Sequence, residues 1–301
     1  MTMSWPILGW LVHSTQLRSV FHGALKALLI GVVFYFIVYF LERASGGATE
    51  QYGSRSFVHD VAYWFYYRSG LHRLLFTALL FGFLGPKLAF LKFPMLDHLS
   101  LIARGVLWLL VSDFTSYWVH RLQHASRFFW AFLATHHAQE HLSFMTTTRF
   151  HPVDHFLSDT LKFVPQFALG ASPLSWLPLY LTMDFLAITQ HSRIAWRLGP
   201  LSKVLATPWF HSFHHSTDPR HHNRNFGALL SIWDYLFRTA VDSPKQPAEY
   251  GLTDIKMPTL LSSLCQPFVL LYQTYAQKPA RPDATRPPFV ASGNGYGPPS
   301  A

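Results

Sequence analysis

Four stretches of the chain are apolar over a length that suits a membrane. A spanning helix needs about 20 mostly apolar residues. Phe21–Leu41 is the cleanest, broken by Lys26 near its start. Leu71–Phe93 contains Pro86 and Lys87 and is predicted to span with a kink. Leu99–Val119 carries Asp113 inside it. Phe156–Gln190 is punctuated by Pro165, Gly170, Pro173 and Pro178, which predicts a helical hairpin with arms too short to cross fully. Residues 42–70 mix polar positions with Tyr52, Phe57, Tyr63, Trp64, Phe65, Tyr66 and Tyr67, the make-up of a segment at headgroup level. From Gln277 onward Pro, Gly, Ser and Ala dominate, as in a disordered tail. The pattern predicts an all-α integral membrane protein: about four transmembrane helices or hairpin arms beneath a cytoplasmic helical cap. Four regions follow: anchor helices and interfacial segment (1–98), a central unit (99–240), a C-terminal cytoplasmic extension (241–276) and the tail (277–301).

Composition sharpens this. Half the residues are hydrophobic and only 13% are charged, against about 25% in soluble domains. Gly23–Leu41 is too long for a signal-peptide core and lacks a small-residue cleavage site, so it reads as an anchor. The single cysteine, Cys265, excludes an internal disulfide and cysteine-rich zinc or iron–sulfur sites. The net charge of +9 does not indicate nucleic acid, because the basic residues are interleaved with apolar runs. Arg121, Arg127, Arg149, Arg193, Arg197, Lys203, Arg220 and Arg224 share their segments with the histidines, and the positive-inside rule places that side in the cytoplasm.

Histidine changes the picture most. Of 18 histidines, 13 lie between His120 and His222, a concentration that points to metal. Asp113, Tyr117, His120 and His124 are spaced four, three and four apart, so a helix would carry them on one stripe. An ionisable residue inside an apolar span is a functional candidate. Asp113 is expected to accept a hydrogen bond from a ligand histidine and fix its tautomer; pairing with an arginine is the plainer reading. Tyr117 could donate to an oxygen intermediate, but a place at the interface is favoured. Further along come Thr135-His136-His137 with His141, Arg149-Phe-His151-Pro-Val-Asp154-His155, Gln190-His191-Ser192 and His211-Ser-Phe-His214-His215. The last is followed by Asn223-Arg-Asn225-Phe-Gly227 and Trp233-Asp234. His120, His124, His136, His137, His191, His211, His214 and His215 make eight imidazoles. That is too many for one tetrahedral zinc and suits two ions with open positions. Imidazole binds iron, zinc, copper and nickel alike. No Glu-x-x-His pair of the soluble di-iron bundles is present. Asp113, Asp154 and Asp234 are candidate carboxylates around the ligands, though Asp234 reads equally well as structural.

At these residues the chain resembles the fatty-acid hydroxylase superfamily, which includes sterol desaturases, C-4 methylsterol oxidases and alkylglycerol monooxygenase. The resemblance covers roughly residues 100–240. Thr207-Pro208-Trp-Phe-His211-Ser-Phe-His214-His215-Ser216 through Asn225-Phe-Gly227 to Trp233-Asp234 is the most specific part, with Arg149-Phe-His151-Pro152. It implies that 99–240 is the catalytic unit and that the eight histidines hold two iron ions on the cytoplasmic side (zinc being possible in isolated protein), with Asp113, Tyr117 and Asn225 as catalytic residues. It implies O2 as oxidant and hydroxylation or desaturation of a sterol or fatty-acyl C–H bond. Electrons from NAD(P)H would come through a separate donor of cytochrome b5 or ferredoxin type with its reductase, because no haem or flavin motif is fused here. One position departs: Leu133 stands where the second motif normally has a histidine, which would leave one metal a ligand short unless His141 or His151 substitutes. The competing readings are a zinc-dependent membrane hydrolase with Glu140 as general base, and a metal-handling protein.

Overall fold

The computed structural model describes residues 14–46, 50–69, 72, 84–93, 96, 98–169, 177–194 and 196–276. Among them the architecture is helical, with no strand and two isolated bridges, Leu205–Leu230 and Ser216–Tyr250. Most of the second expected span (73–83), the hairpin turn (170–176) and the tail (277–301) lie outside the described residues.

The first long helix, α1 (Ser14–Ala44), contains the one segment of the described residues that is long and apolar enough to cross a membrane, His22–Ala44. Its Leu29, Val33, Phe36 and Phe40 are each more than half exposed. Such a wall is stable against lipid rather than water. The second helix, α2 (Arg55–Arg68), starts at Ser54, whose hydroxyl accepts from Phe57 N. One face of this part of the expected interfacial segment is buried, with Asp60, Tyr63, Tyr67 and Arg68 on it. Tyr63 and Tyr67 are buried, with Tyr63 Oη hydrogen-bonded to Ser263 Oγ (2.8 Å) and Tyr67 Oη donating to Phe150 O (3.0 Å). Phe65 remains exposed. The difference is periodicity: a helix turns only part of its aromatic residues outward, a detail composition does not show.

Helix α3 (Leu101–Ala125) begins at Ser100, whose side chain accepts from Ala103 N. It runs past the apolar stretch that ends at Val119 and carries His120 and His124 in its last turns, as their spacing with Asp113 and Tyr117 predicts. Ile102, Val106, Leu110, Phe114, Trp118 and Leu122 recur every fourth residue and are all exposed. Asp113, Tyr117, Gln123 and His124 are buried on the inward side. One helix thus carries an apolar stripe outward and a polar one inward. It ends at Ser126, whose N–H bonds Leu122 O while its hydroxyl accepts from Phe129 N to start α4 (Arg127–His137).

The stretch expected to form a hairpin contains α5 (Pro152–Ala168, 17 residues) and α6 (Leu177–Gln190, 14 residues). At 1.5 Å per residue these arms reach about 26 and 21 Å, less than the roughly 30 Å hydrocarbon core. The short α7 (Pro208–His214) is capped by Thr207, which accepts from Phe210 N. Pro at the first turn of α5 and α7 needs no N–H partner there. A one-turn helix, α8 (Ile232–Leu236), and α9 (Leu260–Tyr275) follow, with α9 packed on α4.

A buried charge cluster ties the N-terminal helices to this unit. Arg149 Nη1 pairs with Asp60 Oδ1 at 2.9 Å, with both side chains essentially sealed from solvent. Gln139 Nε2 (2.6 Å) and Thr146 Oγ1 (3.1 Å) also donate to Asp60, and Arg149 Nε donates to Thr135 O (2.9 Å). On the other side Arg68 grips Asp184 of α6 through two bonds of 2.8 and 2.9 Å. Removing one partner of such a pair leaves a buried charge unmet and costs about 3–5 kcal/mol. Asp60→Ala is therefore expected to lower the thermal midpoint in detergent sharply. The double variant Asp60→Leu/Arg149→Met should recover most of that loss, because it buries no unpaired charge. Equal losses in the two proteins would show that the pair is not what holds α2 in place.

Candidate metal centre

Eight histidines from four elements meet in two groups of four. His120, His124, His137 and His214 form one; His136, His191, His211 and His215 form the other. Within each group one ligand atom per residue lies within 4.8 Å of every other. Helix geometry sorts them. His120 and His124 are one turn apart on α3 and go to the same group. His136 and His137 are adjacent at the end of α4, about 100° apart around the axis, so each faces a different group. On α7, His211 and the capping His215 share a face while His214 turns to the other group. His191 follows directly on α6. The groups adjoin, with the rings of His137 and His215 stacked at 4.7 Å.

Hydrogen bonds fix which nitrogen points inward. His120 Nδ1 donates to Phe226 O (3.2 Å) and His214 Nδ1 to Arg224 O (2.7 Å). Carbonyls only accept, so in both rings the proton is on Nδ1 and Nε2 offers a lone pair. Thr147 Oγ1 already donates to Ala187 O (3.0 Å), so it accepts from His191 Nδ1 (3.0 Å). The inward atoms crowd together: Nε2 of His191 is 3.2 Å from that of His136 and 3.1 Å from that of His211, which is 3.3 Å from that of His215. His124 and His137 approach likewise at 3.1 Å. His214 Nε2 is buried without any partner. Converging lone pairs cannot satisfy one another, and a cation would satisfy them all. Burial lowers the pKa of all eight, to about 4 at His214 and about 3 at His191, and neighbouring histidines reinforce it at every one but His214. Neutral imidazole is the form that binds metal. The donor set therefore fits two ions.

The other expected site residues brace this centre from a distance. Asp113 touches no histidine; its carboxylate accepts from Leu229 N (2.8 Å), Leu230 N (3.1 Å) and Trp233 Nε1 (2.8 Å). Asp234 accepts from Phe226 N (2.8 Å), Gly227 N (2.7 Å) and Thr239 Oγ1 (2.7 Å). Together they clamp the loop whose Phe226 carbonyl orients His120. A Cβ on Gly227 would meet Leu230 O at 2.6 Å, so only glycine fits there. Tyr117 is sealed in the interior, not at an interface, and its hydroxyl bonds Thr239 Oγ1 (2.9 Å). Asn225, with φ of 56°, donates to Phe210 O and Val241 O and accepts from Val241 N. It staples the chain behind α7, in a conformation asparagine tolerates better than most residues. Asp154 accepts from Gln123 Nε2 (2.7 Å), next to His124.

Leu133 is buried on α4, and both groups of four are complete without it. The expected substitutes do other work. His151 caps α5 through Val153 N and bonds Leu264 O, and His141 lines an outer pocket. Glu140 is exposed and paired with Lys256, outside both groups. Sequence reasoning missed Thr147, Phe226 and Phe150. Phe150 lies flat on His136, 4.2 Å between centroids and 9° between planes. Thr147 precedes a flagged Arg-Phe-His run, but Phe226 acts through its backbone carbonyl, for which no residue type is a signal.

His211→Ala and His214→Ala, three residues apart, should each remove a different ion. Each is expected to lower the metal content per chain, read by mass spectrometry of the purified protein, by about one ion, and the pair by the sum. A pair no worse than either single change would mean that the two groups share one ion.

Residues 105–239 match the family model described as fatty acid hydroxylase, and all eight histidines fall within that stretch. An ornithine lipid hydroxylase of Rhizobium tropici is 32% identical over 184 residues, 61% of this chain and 56% of that protein. An alkylglycerol monooxygenase of Xenopus tropicalis is 30% identical over 188 residues, covering 62% and 41%. A methylsterol monooxygenase of Arabidopsis thaliana is 25% identical over 154 residues, covering 48% and 50%. The aligned part thus spans about half the length of these relatives. No solved structure matches. Through residues 105–239 the chain is similar to the fatty acid hydroxylase family.

Proposed function

We propose that this chain is a membrane-bound, di-iron lipid oxygenase that hydroxylates a C–H bond of an aliphatic membrane lipid, with a sterol as the less favoured substrate. The observation that carries the reading is the pair of four-histidine groups set at the inner end of a helix whose outer face is apolar. When bound, iron supplies the activation of O2 that organic side chains cannot. The net reaction places one oxygen atom in the C–H bond. The other leaves as water, taking an electron pair that derives from NAD(P)H through a separate donor protein.

The chain's own residues have three tasks. Phe226, Arg224 and Thr147 hold the imidazoles of His120, His214 and His191 in the tautomer that presents Nε2. Phe150 and Phe226 pack against ligand rings and keep water from them. The apolar stripe of α3 guides a lipid. Between Ile102, Gly105, Val106, Leu109 and Leu110 of α3 and Pro178 and Leu179 of α6 lies an apolar groove of about 400 Å³. It opens on the same helix about 15 Å before His120, the rise of ten residues. An alkyl chain fits such a groove better than a rigid ring system. Relatives that are 30% identical or more are named for an ornithine lipid and an alkylglycerol, whereas the methylsterol enzyme is more distant.

The reading is tested with iron-loaded, chemically reduced protein in detergent, given 18O2 and, in separate reactions, an ornithine lipid, an alkylglycerol and a 4-methylsterol. One 18O atom in an aliphatic lipid product, lost in His191→Ala, is the expected result. Label in the sterol alone would move the substrate to the second class. Unlabelled hydrolysis products with zinc-loaded protein and no label in any lipid would overturn the oxygenase.

A further inference from the structure

A third cluster of ligand atoms stands outside the eight-histidine centre. His155 and Asp159 are one turn apart on α5, and His72 reaches them from the segment after α2. Nε2 of His72 and Nε2 of His155 lie 3.2 and 3.5 Å from the same atom, Asp159 Oδ2. The two imidazole centroids are 4.5 Å apart. Tyr67 packs edge-on against both rings, at 4.2 Å from His155 and 5.0 Å from His72, and is itself fixed by its bond to Phe150 O. One ligand is sealed and the others face outward: the side chains of His72, His155 and Asp159 are 8, 30 and 26% exposed. Phe150 separates this cluster from the main centre. One face of its ring lies on His136, and it also stacks with His155 at 5.8 Å. None of the three residues belongs to either group of four.

We propose that His72, His155 and Asp159 form a separate mononuclear site for a divalent transition-metal ion. Two imidazoles and one carboxylate with an open flank are a donor set that suits iron(II), or zinc with water in the remaining position. The three donors already converge within 4.8 Å of one another, and a bound ion would draw their lone pairs to one centre. Lys162, one turn beyond Asp159 on α5, adds a positive charge nearby, so the ion is held by coordination and not by net charge. The ion would pin the segment at residue 72 to α5, one aromatic ring from the main centre. The plainer alternative is a histidine–carboxylate ion pair without metal. The site is independent of what the eight histidines hold.

The probe is zinc. Full-length protein in detergent is incubated with Zn2+, freed of excess, and its zinc per chain compared with that of Asp159→Asn, His155→Gln and the double variant. Each variant is expected to hold roughly one ion fewer than wild type, and the double variant no fewer than the singles, since all three donors serve one ion. Variants that retain the wild-type count overturn the site. A second measurement needs no variant: wild-type protein is treated with diethyl pyrocarbonate with and without zinc, and modified histidines are mapped by mass spectrometry. Zinc should slow modification of His155 several-fold. Equal modification at His155 with and without zinc overturns the proposal and leaves the ion pair.

Discussion

Eight neutral imidazoles aimed into one closed space are the constraint on which this structure depends. Burial keeps them uncharged, and each must then be held so that one nitrogen faces inward and the other is met or sealed. An imidazole ring rotates freely unless something grips it. The grip comes from backbone carbonyls at Phe226 and Arg224 and from the hydroxyl of Thr147, and flat packing by Phe150 holds His136. Ligand orientation set by such outer contacts is what gives a metal site its geometry.

Those contacts need a rigid support in turn, and buried carboxylates provide it. Asp113 and Asp234 each gather three donors from the loop at 226–239, so the carbonyl over His120 cannot drift. Asp60, sealed and paired with Arg149, does the same for the stretch between α4 and α5 that carries Thr147. The carboxylates hold backbone, and the backbone holds histidines. Carboxylates in direct contact with the ligands would compete for the same N–H groups.

The exterior has the opposite character. The faces of α1 and α3 turned outward are apolar over several turns, while charge and hydrogen bonding are gathered inside. In lipid the polar groups must be satisfied internally, so the interior of such a protein is where its chemistry has to be. Burying the polar stripe and exposing the apolar one on α3 meets both demands with a single helix.

Much of this was legible in the residues. The four-residue spacing of Asp113, Tyr117, His120 and His124, the paired histidines at 136–137 and the 211/214/215 triplet place imidazoles on helix faces through local geometry alone. Apolar length marked α1, and Pro and Gly marked the stretch between the end of α5 and the start of α6. Other features were settled only by tertiary packing. Spacing could not divide the eight histidines into two groups, because His191 and His137 choose their partners by where separate helices end. Leu133 looked like a missing ligand because a motif is read along the chain, whereas both groups of four are filled by residues from separate segments. Asp113 looked like a ligand's neighbour because it shares a stripe with His120, yet its partners are backbone amides more than a hundred positions later. A sequence shows which side chains share a face of one helix; which backbone groups meet that face depends on how distant segments pack.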